Sequence, residues 1–158
     1  MFTGWDTRNT TIVNGSYNPS GNPTIAIEVS GPLGNLFPFT AMLDTGFSGF
    51  LLLPILDAFP IGLLLQGTMP ITLADGSTQT KLTCLGSIHF DGAEEIGIII
   101  IEWQNTDVLV GMEFLRRFKK ELRVDPINGL VELVNAPVPA AAPAPVQPPP
   151  VNPPNPNP

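Results

Sequence analysis

The residues best placed to do chemistry are Asp44, Thr45 and Gly46, in the stretch Phe39-Thr-Ala-Met-Leu-Asp-Thr-Gly-Phe-Ser-Gly-Phe-Leu-Leu-Leu53. One apolar run ends on the acid and another begins a few residues later. A carboxylate between apolar runs is costly to bury unless it is paired or protonated, so such a group needs a reason. Thr45 offers a hydroxyl to hydrogen-bond, and Gly46 allows a tight turn with close backbone approach. Other chemistries are poorly supplied. The chain has one histidine, His89, and one cysteine, Cys84. A lone cysteine excludes an internal disulfide and a cysteine-based zinc site, and Ser-His, Cys-His and metal catalysis lack their usual residues. His89 reads as a structural strand position. Asp57, Asp91, Glu94, Glu95 and Glu102 lack a turn and apolar setting like that of Asp44 and read as solvated face or loop.

The elements that must hold Asp44 read as short strands and turns. The 158 residues suffice for one domain with a real core, and 13% charged residues with 15 Gly and 19 Pro suit strands better than long amphipathic helices. Thr24–Ser30 puts Ile25, Ile27 and Val29 on one face, and after a turn at Gly31–Asn35, Phe37, Phe39, Ala41 and Leu43 alternate inward. Asp44 then falls at a strand end. Phe50–Leu53 reads as a buried strand stopped by Pro54, and Ile55–Leu65 as a connector with one helical turn. Pro70–Leu85 reads as a hairpin with a two-residue Asp75-Gly76 turn, continuing to a second turn at Asp91-Gly92. By itself this reads as an ordinary surface hairpin. Ile96–Trp103 is a β-branched core strand, and Asp107–Lys120 an apolar strand ending at Gly111 followed by a short helix with Phe114, Leu115 and Phe118 at helical spacing. A last hairpin turns at Asp125–Gly129.

The order of these segments resembles that of the retropepsin-like aspartic proteases, the single-domain family of retroviral proteases and their bacterial relatives. The resemblance spans roughly Thr24 to Val134. It implies an all-β, closed-barrel domain with a flap hairpin and one short helix, which supplies half a catalytic site and requires a dimer. Asp44, Thr45 and Gly46 would form the catalytic loop. Ala74, Asp75, Gly76 and Ser77 would form the flap tip and offer backbone groups to an extended peptide, with Phe47 lining side-chain pockets. The chemistry needs two carboxylates one water apart, sharing a proton; aspartic proteases are the standing example of such a pair. One Asp-Thr-Gly per chain therefore implies a two-fold homodimer in which Asp44 of each copy faces the other. Thr45 would hydrogen-bond across the dyad. Water attacks the peptide carbonyl with no cofactor, metal or covalent intermediate. Two departures stand out: Phe47 follows the motif where a small residue is usual, and Met112-Glu113 follows Gly111 where retroviral members carry Arg then Asp or Asn.

The resemblance implies an aspartic endopeptidase acting on peptides or unfolded protein, with apolar cleavage-site preference. The alternative is a catalytically silent dimer of the same fold that binds peptides or partners. An all-β structural domain whose Asp-Thr-Gly is only a turn is a third reading. Net charge of −7 argues against nucleic acid or anionic membrane as partner. No signal peptide or membrane span is legible, and the chain reads as cytoplasmic. Residues 1–20 read as a flexible arm and 21–135 as the protease domain. Residues 136–158 hold 11 Pro and no charge, a disordered tail serving as a spacer or binding a proline-recognising partner.

Overall fold

The computed structural model describes residues 11–73, 75–104 and 107–137. Most of them lie in strands. The strands are β1 (Ile12–Asn14), β2 (Ser16–Tyr17), β3 (Pro23–Ser30), β4 (Phe37–Leu43), β5 (Leu51–Pro54), β6 (Leu64–Thr72), β7 (Thr78–Phe90), β8 (Ala93–Glu102), β9 (Leu109–Val110), β10 (Lys120–Asp125) and β11 (Leu130–Asn135). Two helices, α1 (Ile55–Ile61) and α2 (Met112–Arg117), interrupt them. An eight-stranded sheet runs β2-β3-β4-β9-β5-β8-β7-β6, and a smaller sheet runs β1-β11-β10. β3 pairs with β4 on one side and with β7 on the other, where Glu28–Ser30 oppose Ser87–His89, so the ladder that leaves β3 through β4 returns to it through β7.

Alternation in the sequence becomes alternation in burial. Ile25, Ile27 and Val29 of β3 face inward with Ala41 and Leu43 of β4, while Ala26 and Glu28 turn outward or to the flank. The core continues through Leu51, Leu53, Ile99 and Ile101 to Leu133. Beneath α2, Phe90, Phe114 and Phe118 meet with ring centroids 4.9–5.5 Å apart, a tilted and edge-to-face cluster that seats the helix on the end of β7.

Three expectations need correction. Ile12–Asn14 and Ser16–Tyr17, assigned to a loose arm, are strands: β1 pairs with β11 and β2 with β3. Gly15 carries the chain between the two sheets. A Cβ there would lie 2.2 Å from the Thr24 carbonyl, so only glycine fits the crossing. Residues 1–10 and the tail from 138 onward lie outside the described residues. The connector after β5 is a helix of seven residues, which makes two helices rather than one. Pro60 sits in its last turn and Gly62 closes it in a left-handed conformation at φ 68°. Finally, Asp75-Gly76 is not a two-residue turn. Thr72 opposes Thr78, and a five-residue loop lies between them, closed by the Leu73 and Gly76 amides donating to the Ser77 and Leu73 carbonyls. Among the described residues of this loop only Gly76 is at positive φ, in the pattern of a turn followed by a glycine bulge. The two-residue turn occurs instead at Asp91 (φ 50°) and Gly92 (φ 75°), between the paired Phe90 and Ala93.

Candidate active site

Asp44 sits where β4 ends, and β9 fixes it there. β9 is wedged between β4, to which it runs parallel, and β5, to which it runs antiparallel. The loop from Asp44 to Phe50 therefore starts and finishes on the same two-residue strand. The Asp44 amide donates to the Val110 carbonyl at 3.0 Å. Beyond β9, the amides of Met112 and Glu113, at the start of α2, donate to the carbonyls of Phe47 (2.9 Å) and Ser48 (3.2 Å). The unpaired amides of a helix start thus hold the catalytic-loop candidate from beneath. Gly111 makes this approach possible, because a Cβ there would stand 2.1 Å from the Phe47 carbonyl oxygen.

Within the loop, Asp44 Oδ1 accepts the Gly46 amide at 2.8 Å and the Phe47 amide donates to the Asp44 carbonyl at 3.1 Å. The carboxylate is oriented by its own turn, and no ion pair among the described residues reaches it. Asp44 is half-buried, while Thr45 and Gly46 are exposed. The expectation of an enclosed acid is met only on the β4 side.

Phe47 lies beneath the loop. Its ring turns back onto Gly49 and Gly111, coming within 2.3 Å of where a Gly49 Cβ would stand. It is not among the residues lining the neighbouring cleft. That cleft, of about 440 Å³, is bounded by Ser48, Gly49 and Phe50 of the loop, Met69 and Thr83 of the β6–β7 hairpin, Ile98 and Ile100 of β8, and Glu113 and Arg117 of α2. A second groove of about 450 Å³ touches the loop at Thr45 and runs along Met112, Leu115, Arg116, Lys120, Glu121 and Leu122.

Asp75, Gly76 and Ser77 lie at the hairpin tip, and Ala74 is outside the described residues. The outer part of the hairpin, from Thr68 to Thr80, is exposed at nearly every position on both faces, so it stands off the body. Asp75 Oδ1 accepts both the Ser77 hydroxyl (2.6 Å) and the Ser77 amide (2.9 Å). These bonds hold the Asp75 carboxyl below its ordinary value. The hairpin meets the cleft through its shaft, at Met69 and Thr83, whereas the tip residues are not part of the cleft wall.

Two acids read from sequence as solvated are anchored. Glu102 Oε2 accepts Lys81 Nζ at 2.5 Å. Burial works to raise the Glu102 carboxyl, and the hydrogen bonds and charge of Lys81 with the Trp103 and Gln104 amides outweigh it and hold the value down. Asp91 pairs with the buried Lys120, whose Nζ also donates to Asn135 Oδ1 at 2.7 Å. His89 keeps its strand position, with Nε2 2.8 Å from the Ser30 hydroxyl.

The cleft residues Ile98, Ile100, Met69, Glu113 and Arg117 were missed by sequence reasoning as site residues. The run Ile98–Ile101 is apolar at every position, so the sequence alone does not separate Ile99 and Ile101, which face the core, from Ile98 and Ile100, which line the cleft.

No family model and no curated protein matches the chain. Among solved structures, a retropepsin-like aspartic protease from Rickettsia conorii superposes with TM-score 0.58 at 22% identity, covering 85% of this chain and 98% of that one. The EIAV protease complexed with the inhibitor HBY-793 superposes with TM-score 0.55 at 16% identity, covering 69% of this chain and 99% of that one. The described residues share the mostly-β fold of the retropepsin-like aspartic proteases.

Proposed function

We propose that the chain is an aspartic endopeptidase that works as a two-fold homodimer, with one Asp44 from each copy forming the catalytic dyad. The observation that carries this reading is the Asp44 loop itself: an oriented carboxylate on an Asp-Thr-Gly turn, braced by β9 and the start of α2, with Thr45 and Gly46 exposed beside it. A single carboxylate supplies half of the acid–base pair, and the exposed face of the loop is where a second copy would supply the other. The groove running from Thr45 along Met112, Leu115 and Leu122 supports a second copy on that side, since it is largely apolar and Met112 is 44% exposed.

In the dimer the two carboxylates share one proton, because two like charges that close cannot both be ionised cheaply. The ionised Asp44 takes a proton from water while its protonated counterpart donates to the peptide carbonyl oxygen. The new C–O bond forms as the carbonyl π bond opens; the carboxyl that took the water proton then passes it to the nitrogen as the C–N bond breaks, and its counterpart takes back a hydroxyl proton, which restores the dyad. An extended peptide lies along the cleft between loop and hairpin, held by backbone pairing. The β6–β7 arm acts as the closing flap.

A silent peptide-binding dimer of the same fold remains the second reading, favoured by Met112-Glu113 at the start of α2. Phe47, the other departure from the family pattern, does not obstruct the cleft, since its ring lies under the loop. Digestion of a peptide library from mildly acidic to neutral pH, read by mass spectrometry, separates the two. Cleavage by the wild type that vanishes in Asp44→Ala establishes the protease. Peptide retention without cleavage by a folded dimer establishes the binder.

A further inference from the structure

The cleft beside the Asp44 loop is apolar on its walls and charged at one rim. Phe50, Met69, Ile98 and Ile100 form the walls, and Glu113 and Arg117, one helical turn apart on α2, form the rim. Arg117 is fixed from three sides. Its Nε donates to Glu113 Oε1 at 2.6 Å, its Nη1 donates to the Ile96 carbonyl at 2.5 Å, and its guanidinium lies 5.4 Å from the Phe50 ring centroid. The other Glu113 oxygen takes Arg116, which faces the Thr45 groove. The Glu113 amide donates to the Ser48 carbonyl, which ties the rim to the loop.

We propose that the Glu113–Arg117 pair sets the charge selectivity of this cleft, admitting an uncharged apolar side chain of an extended peptide and turning away both signs of charge. This rests on the reading that the cleft receives peptide. An acidic side chain entering here would lose its water and find the guanidinium already occupied by a carboxylate of the same molecule. A basic one would find Glu113 already shared between two guanidiniums. Each half of the pair therefore masks the other, and removing either half opens a charged site of known sign. Glu113→Gln keeps an acceptor for Arg117 but removes the negative charge that masks it, and the cleft then selects Asp or Glu. Arg117→Gln frees Glu113 Oε1, and the cleft then selects Lys or Arg.

The test is retention of a degenerate peptide library on the full chain carrying Asp44→Ala, with bound peptides sequenced by mass spectrometry. The background chain is compared with Glu113→Gln, Arg117→Gln and the double variant, all checked for folding by circular dichroism. The expected result is an apolar preference in the background and an enrichment of acidic residues at one position in Glu113→Gln. Arg117→Gln enriches basic residues there, and neither enrichment survives in the double variant. Each enrichment should reach about tenfold, the size of one charge-assisted hydrogen bond. Because the two single variants shift in opposite directions, either one suffices if the other fails to fold. Identical selection by every folded variant, or no peptide retained by any, overturns the inference. Cleavage by the unmodified chain is scored separately: a selectivity shift without cleavage removes the protease reading alone, and cleavage with unchanged selection removes the inference alone.

Discussion

A Cβ at position 111 would stand 2.1 Å from the carbonyl oxygen of Phe47, and the same carbonyl accepts the Met112 amide at 2.9 Å. Gly111 has an ordinary extended backbone, φ −119° and ψ −158°, so its requirement is for space and not for a left-handed conformation. Gly111→Ala must push the loop off the start of α2, because the obstructing atom is backbone and cannot rotate away. The expected loss is about 1–3 kcal/mol, the range for overpacking. Denaturant melts of wild type and variant measure it, and the variant should also lose whatever cleavage the loop supports.

Lys120 and Asp91 pin the small sheet to the β7–β8 turn, with the Lys120 side chain only 4% exposed and that of Asp91 20% exposed. Asp91→Asn removes the counter-charge and leaves the buried ammonium with neutral acceptors only. This should cost about 3–5 kcal/mol, the range for breaking a buried pair from one side. Lys120→Met, which removes the buried charge and keeps the chain length, should cost clearly less. Urea unfolding of both variants checks the order, and equal losses would show that the pair contributes packing and not charge.

The hairpin tip should respond to acid. The Ser77 hydroxyl and amide lower the Asp75 carboxyl in the folded tip relative to the unfolded chain. A group with a depressed folded value contributes order above its unfolded pKa and loses it as pH falls through the folded value. The tip should therefore stay closed through mildly acidic pH and open only below the usual carboxylate range. An NMR titration of the Ser77 amide follows this, and Ser77→Ala should move the midpoint up toward that of an ordinary aspartate.

Much of this fold was legible because β3 and β4 carry a clean period of two, and because Phe114, Leu115 and Phe118 announce α2 at helical spacing. What stayed hidden had physical causes. Asp75-Gly76 and Asp91-Gly92 are the same dipeptide, yet Ser77 offers Asp75 two hydrogen-bond donors and stabilises the wider loop, while Asp91-Gly92 is followed directly by Ala93, which pairs with Phe90 in the ladder. Pro60 disguised α1, since a proline near the end of a short helix looks like a breaker. β1 and β2 are only three and two residues long, too short for a local pattern to reveal, and pairing with β11 and β3 holds them. At the site, the Asp44 turn at a strand end and the strand ending at Gly111 ahead of a short helix were readable, whereas the hydrogen bonds that join them came from the structure. The cleft was not, because Ile98 and Ile100 look like core until the β7–β8 sheet is seen to have one face turned to the opening.

The central claim is that each copy supplies half of the dyad, and subunit mixing tests it most directly. Wild type at fixed concentration is equilibrated with increasing Asp44→Ala, and peptide cleavage per wild-type chain is followed. Wild-type chains then sit increasingly in mixed dimers with only one Asp44. The account predicts that activity per wild-type chain falls in proportion to the wild-type fraction, as the share of dimers with two aspartates declines. Activity per wild-type chain unchanged by a large excess of Asp44→Ala, under conditions where the copies exchange, would contradict it.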